Sequence, residues 1–514
     1  MDSASCRGRV VVAYRDAALE YPRVAPFDPP CAYPEYPFAA DDVSADNPVY
    51  GAVRETLRLA GLDEARFGTA AWNPLGDLVD RGATVVIKPN WVRHYHPLGL
   101  DIFSIITHPA VLRPLIDYAF KAVGPTGRIW LMDAPLYDSD FARLTELCQL
   151  ERFEAILRAR GVPLTIGDLR SLVVDMDSGV VVHRTHRDVW ESESTEFDLG
   201  GDSEFAPLGP TLHRIFGSDY DRRLTTSFHR RINGRQRHCY RISRRVLEAD
   251  LVISVPKLKT HKKTGVTLNI KNMIGINTNK NYIPHYRVGS PREGGDEFPD
   301  TSRRSTRARR RIVRLAKDHL LARLGTPAER LARVFMRGLL AMRNTRLPQR
   351  SGVTADPLDV FYQTIQGDTY RTGDWWGNDT CWRSALDMNK ILLYGTPEGT
   401  LNVRPVRRYF SLIDGVMGGD EAGPLAPTPR SAGVLLAGFD PLSVDIIATQ
   451  IMGLDPGLIR DQRRALELTH HRLADVDSPL FVRSNVPEWH GGISRASDLG
   501  FRPHPTWSEY FAQR

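Results

Sequence analysis

Three short runs constrain the fold of this 514-residue chain more than any other feature: Ala83-Thr-Val-Val-Ile-Lys-Pro-Asn90, Gly127-Arg-Ile-Trp-Leu-Met-Asp133 and Ala249-Asp-Leu-Val-Ile-Ser-Val-Pro256. Each is too short for a helix and is apolar at successive rather than alternate positions, the pattern of a strand buried on both faces of a parallel sheet. A helical pattern over Pro109–Ala122 separates the first two, so residues 83–133 read as a strand, helix, strand unit. Ligands of such sheets collect at the C-terminal ends of the strands, which places Lys88, Asn90 and Asp133 where chemistry is expected.

The expected fold is α/β, with a mostly parallel open sheet, a smaller antiparallel portion and a helical insertion. Residues 1–82 read as an arm and a helix, and 83–287 as the first part of the core with a β-rich insert near 165–240. Residues 288–350 form a basic helical insertion, 351–456 the second part of the core, and 457–514 an extension. Within the second part the pattern predicts a helix over Cys381–Leu393, strands over Arg408–Asp414 and Gly433–Gly438, a Gly- and Pro-rich loop over Gly415–Pro429, and a helix over Pro441–Met452.

Composition narrows the function classes. With 42% apolar and 25% charged residues the chain is a globular protein, not a disordered or fibrous one. No window approaches the uncharged length of a membrane span, and the N-terminus lacks the apolar core of a secretory signal, so a cytoplasmic location is expected. Five scattered cysteines without a Cys-x-x-Cys pair suggest reduced thiols rather than disulfides or a thiolate metal site. The net charge of +7 is concentrated: residues 301–350 hold fifteen Lys or Arg and two acids, which leaves −6 for the remainder. A mildly acidic globule with one basic segment argues against a general nucleic-acid binder. Apolar stripes in that segment, Leu320, Leu321 and Leu324, then Leu331, Val334 and Phe335, alternate with arginines. Residues 303–346 could therefore lie on an anionic membrane face, pack on a second subunit in a homo-oligomer, or cover the core.

The densest chemistry is in Val255-Pro-Lys-Leu-Lys-Thr-His-Lys-Lys-Thr-Gly-Val-Thr-Leu-Asn-Ile-Lys-Asn-Met-Ile-Gly275. Lys257, Lys259, Lys262 and Lys263 surround His261, with Lys271 and Asn272 one segment later. Clustered ammonium groups at a strand exit suit a carboxylate or phosphate, so a small anionic substrate is expected. Like-charge repulsion should keep His261 neutral and able to act as base, nucleophile or metal ligand. Asp374, Asp379, Asp414, Asp420, Glu421, Asp440 and Asp445 fall beside predicted element ends, where carboxylates serve as general bases or ligands of a divalent ion. His94, His96, His108 and His285 complete the candidates.

Several of these residues occur in motifs that resemble the bacterial and archaeal family catalogued as domain of unknown function 362: Val86-Ile-Lys-Pro-Asn90, Thr107-His-Pro109, Asp133-Ala-Pro135, Asp250 to His261, Lys271-Asn-Met-Ile-Gly275, Asp414-Gly-Val-Met-Gly-Gly419 and Asp440-Pro-Leu-Ser-Val-Asp445. The likeness runs over about residues 83–456, and Gly377-Asn-Asp-Thr-Cys-Trp-Arg383 is similar to a longer subtype associated with surface-polysaccharide genes. The resemblance adds Asn378, Asp379 and Arg383 to the substrate-binding candidates Lys88, Asn90, Asp133, Lys257, Lys259, Asn272 and Asp445, beside catalytic candidates His261, Lys271, Asp414 and His108. A remoter similarity, to the nickel-pincer lactate racemases, implies Lys271 as the anchor of a nickel-pincer nucleotide, His285 as a nickel ligand, and His261 and His108 as an acid–base pair. Leu268, Asn269 and Ile270 stand where that family has glycines.

The expected function is an enzyme acting on a small anionic or sugar-linked metabolite through a Lys/His/Asp cleft, in the cytoplasm or at the inner membrane face. Its rivals are a 2-hydroxy-acid racemase, a non-catalytic metal or anion carrier, and a nucleic-acid binder using the arginine-rich insertion.

Overall fold

The structure is a computed structural model that describes residues 9–43, 46–177, 180–187, 192–217, 222–302, 307–308 and 372–512. The basic stripes and nearly all of 303–346, with their membrane, subunit and nucleic-acid readings, lie outside the described residues.

Ten strands form one sheet. Across it the order is Leu480–Ser484, Arg9–Arg15, Thr428–Gly438, Arg408–Asp420, Leu251–Val255, Thr84–Pro89, Arg128–Asp133 and Leu164–Asp168. Six pairings are parallel and three antiparallel, so the sheet is mostly parallel. The three apolar runs are neighbours in it. Their continuity has the expected cause: Val85, Ile87, Ile129, Leu131, Leu251 and Ile253 enter the core on one face, and Val86, Met132 and Val252 enter the core on the other. Each such aliphatic side chain contributes roughly 1.5–3 kcal/mol on burial, which offsets the cost of ordering a strand.

Helix Pro109–Val123 packs on the first face and helices Cys381–Tyr394 and Pro441–Ile451 on the other side. Smaller antiparallel sheets flank this body: the hairpin Leu172–Asp177 with Val180–His186, and the three strands Ser194–Asp198, Arg235–Ser243 and His229–Ile232. Leu164–Asp168, inside the span read as the β-rich insert, is instead the edge strand of the main sheet. At the other edge both chain ends contribute, since Arg9–Arg15 runs between Thr428–Gly438 and Leu480–Ser484.

Two local readings need correction. The predicted loop Gly415–Pro429 is mostly strand, because Arg408–Asp420 continues past Asp414 and pairs through Thr428. Its glycines serve close packing rather than a turn: a Cβ on Gly419 would stand 2.7 Å from Lys259 Cβ, and one on Gly415 would stand 2.9 Å from Leu258 Cδ2. The lysine-rich exit is likewise a strand, Lys257–His261, buried at all five positions and laid parallel on the extended half of that long strand.

Candidate functional site

Chain order reverses between Thr84–Pro89 and Leu251–Val255: from the former the chain steps outward to Arg128–Asp133 and Leu164–Asp168, then returns to the opposite side. Such a switch point leaves a crevice at the strand ends. The first group of candidates fills it. Lys88 Nζ lies 2.8 Å from Asp133 Oδ1 and 2.9 Å from Asn272 Oδ1, while Asn272 Nδ2 donates back to the Lys88 carbonyl and to Ser254 Oγ. Lys259 Nζ donates to Asn90 Oδ1 at 2.8 Å and to the Ile105 carbonyl. Burial, then the Lys257 charge, holds the Lys259 ammonium well below the usual lysine range. Lys88, Asn90, Asp133, Lys259 and Asn272 are thus one hydrogen-bonded network, and their polar atoms largely satisfy each other.

The second group adjoins it through Thr107, whose Oγ1 accepts from Asn90 N and donates to the Val255 carbonyl. Lys257 Nζ sits 3.0 Å from Asp414 Oδ2 and donates to the Tyr21 hydroxyl, which donates in turn to Asp414 Oδ1. His108 N donates to Asp414 Oδ2. The His108 ring stacks on Tyr21 at 4.2 Å and is flanked by Phe27 and Phe103. Burial and the neighbouring Lys257 keep it neutral. Its Nδ1 accepts from Ala110 N, capping the helix. Asp414 and His108, two of the catalytic candidates, are therefore enclosed by Tyr21 and Phe27 of the N-terminal arm. Tyr21, which closes them in, gave no signal in the sequence.

The third group is open. Lys271 and His285 are only partly buried, and His261 borders them with 7% of its surface exposed. Among the described residues the Lys271 ammonium has no hydrogen-bond acceptor and no carboxylate within 4 Å. Of the lysines Lys259, Lys262, Lys263, Lys271 and Lys280, only Lys262 and Lys263 are at ion-pair distance from a carboxylate among the described residues, that of Asp374, at 2.9 and 2.6 Å. Burial opposes the Asp374 charge, but those two ammonium groups hold its pKa down to about 2. Burial and then Lys271, Lys263, Lys262 and Lys259 push His261 far below the usual imidazole range, and burial with Lys263 and Lys271 lowers His285 to about 3. Both rings are neutral at neutral pH.

Their hydrogen bonds give these neutral rings opposite roles. His261 Nδ1 accepts from Lys263 N at 3.0 Å and Thr264 N at 3.2 Å, which assigns its one proton to Nε2 and makes the free side of the ring a donor. His285 Nδ1 faces the Ile283 carbonyl at 3.0 Å; a carbonyl only accepts, so the proton is on Nδ1 and Nε2 carries a bare lone pair. Asp461, which sequence reasoning passed over, is buried within electrostatic reach of Lys271, and burial raises its pKa to about 7.

The fourth group supports the cleft. Asn378 Nδ2 donates to the His285 carbonyl, and its Oδ1 accepts from Cys381 N and Thr380 N. Asp379 is held by Arg383, Arg287 and Arg460. Of the substrate-binding candidates here, Asn378 and Asp379 tie the 372–383 segment to His285 and Arg287, and Arg383 holds Asp379 and the Glu204 carbonyl. Asp445 stands behind the cleft: its carboxylate accepts from Asn269 N and Ile270 N at 2.8 Å each and from Asn269 Nδ2, which anchors the short helix Leu268–Asn272 carrying Lys271.

Of the residues implied by the remote likeness, Lys271 and His285 are partly buried and His261 is buried. His285 offers a lone pair, but His108 is enclosed in its aromatic pocket, and among the described residues no three His, Cys, Asp or Glu side chains group as metal ligands.

Fold and site together define an open α/β protein in which a lysine- and histidine-rich segment adjoins the switch-point network through Lys259 and Asn272. Residues 218–450 match the model of a family described as a domain of unknown function, DUF362, so the resemblance carried by the motifs holds for this segment. The match takes in Lys257 to Asp445 but not Lys88, Asn90, His108 or Asp133. No curated protein and no solved structure matches the chain. No described helix is long and apolar enough to cross a membrane.

Proposed function

We propose that the chain is an enzyme that moves a proton on a small anionic metabolite, a carboxylate, phosphate or sugar-linked anion, bound in the cleft of Lys271, His261 and His285. The observation that carries this reading is the Lys271 ammonium, which lacks a hydrogen-bond or carboxylate partner among the described residues while Lys259 and Lys280 lie within its electrostatic reach. A charge left unpaired at such cost is matched by an anion that arrives with the substrate. Lys271 holds the anion, His261 Nε2–H donates to an oxygen on which charge develops, and the His285 Nε2 lone pair takes a proton. Lys88, Asp133 and Asn272 keep the switch-point crevice rigid beneath them.

A metal-carrier reading is weaker, since among the described residues no three His, Cys, Asp or Glu side chains group as ligands. Calorimetric titration of the full chain with inorganic phosphate and with small carboxylates tests the anion site. Binding lost in Lys271→Met supports it; equal binding by wild type and variant sinks it. Incubation of candidate 2-hydroxy acids and sugar phosphates in deuterated water tests the chemistry, the expected result being solvent deuterium on a carbon next to the anion that His285→Gln abolishes.

A further inference from the structure

Lys280 is a buried amine that the proton-transfer reading leaves unused. It lies in a short turn, Lys280–Tyr282, between the Lys271 helix and His285, with 9% of its surface exposed. Among the described residues its Nζ has one hydrogen-bond acceptor, the Ile274 carbonyl at 3.0 Å, and Ile274 is three residues beyond Lys271. Among the described residues no carboxylate lies within 4 Å of it. The charged groups that bear on it are Lys88, Arg170 and Lys271, which disfavour its ammonium form, and Asp133, which favours it but is already paired to Lys88. A lysine enclosed without a counter-ion and next to other cations is the arrangement that leaves an amine free to attack a carbonyl. Burial and these neighbours bring its pKa down to about 7.

We propose that Lys280 is an imine-forming nucleophile and that the substrate class of this cleft is a carbonyl compound bearing a carboxylate or phosphate, such as a 2-oxo acid or a sugar phosphate. The inference rests on the anion reading of Lys271. The Lys280 nitrogen lone pair forms a bond to the carbonyl carbon while the carbonyl π pair moves to oxygen. The His261 Nε2–H stabilises the charge that develops on that oxygen by donating a hydrogen bond to it. The nitrogen gives up both of its protons, the first neutralising the alkoxide to a carbinolamine and the second leaving with the hydroxyl as water, so that amine and carbonyl give imine and water with no oxidant or reductant. The imine nitrogen then serves as the electron sink for a proton removed from the adjacent carbon, the step assigned to His285.

The test uses pyridoxal 5′-phosphate, an aldehyde carrying a phosphate, incubated with the full chain, reduced with borohydride and mapped by peptide mass spectrometry. Lys280 is expected as the dominant adduct, with labelling that rises through pH about 7. Lys271→Gln is expected to slow labelling about tenfold or more, the factor set by one charge-assisted hydrogen bond to the phosphate. The same variant should leave labelling of Lys280 by glycolaldehyde, which has no charge, unchanged. Lys280→Arg should abolish both. Adducts spread over exposed lysines as in the denatured chain, or concentrated on Lys271, overturn the proposal, and mapping on the wild-type chain decides this even if Lys280→Arg does not fold. Lys280 labelled equally by both aldehydes whether or not Lys271 is present would sink the anion reading while the amine assignment stands.

Discussion

Lys257 and Lys271, fourteen positions apart in one lysine-rich segment, show why a shared residue type does not imply a shared role. Lys257 is fully buried and paired to Asp414; Lys271 is partly exposed and has no carboxylate partner among the described residues. Asp414→Asn strands a buried ammonium and should cost about 3–5 kcal/mol of stability, whereas Lys271→Met removes an unpaired charge and should leave the urea midpoint unchanged or raised. If both variants lose stability alike, Lys271 has a fold role and the cleft reading weakens. Asp461 supplies a pH signature. Its folded pKa, about 7, is above the ordinary carboxyl value, so its contribution to stability is complete below pH about 4 and is lost as pH climbs to about 7. Asp461→Asn should match wild type near pH 4 and exceed it at pH 8 by up to about 4 kcal/mol, taking about 1.4 kcal/mol per pKa unit. A constant difference across that range would show that the carboxyl titrates normally.

At the scale of elements, Gly275 is where strand ends and helix meet. An added Cβ would lie 2.0 Å from Asp133 Oδ1 and 2.6 Å from Lys88 Nζ, so Gly275→Ala must spread a buried ion pair. A loss of about 2–4 kcal/mol in urea denaturation is expected, combining overpacking with a weakened pair; a neutral effect would mean the crevice is more yielding than its packing implies. The central strands were legible in the sequence because burial on both faces leaves a continuous apolar run, a signal that needs no partner to be seen. Asp414-Gly-Val-Met-Gly-Gly was misread as a turn because glycine marks both a turn and a strand that must let Lys257–His261 approach closely; composition does not separate the two. His261 and Lys271 were legible from charge density, and Asp414 and His108 were found by motif, but their enclosure was not legible. It depends on Tyr21, nearly 400 residues from Asp414 in sequence.

For the whole molecule, the same dependence holds at the other end of the chain. Tyr21 from the N-terminal arm closes the Asp414 pocket, and Trp507 from helix Pro505–Ala512 seats on the turn that follows His261: its Nε1 donates to the Lys262 carbonyl at 2.8 Å, and its ring lies 3.1 Å from where a Cβ on Gly265 would stand. Trp489 is an internal control. It is as buried as Trp507, at 1% exposure, and belongs to the same core cluster, but its Nε1 donates to the Ser497 carbonyl within the C-terminal segment. Truncating either indole should cost about 3–5 kcal/mol, the usual range for a buried tryptophan. The two variants should separate at the cleft. Trp507→Ala frees the Lys262–Gly265 turn whose backbone donors fix the His261 tautomer, so phosphate affinity and labelling of Lys280 should both fall. Trp489→Ala should lower the unfolding midpoint with phosphate affinity, measured well below that midpoint, unchanged. Equal loss of phosphate binding in both would mean that general loosening weakens the cleft; a difference confined to Trp507→Ala means that the last helix of the chain holds the donor face of His261 in place.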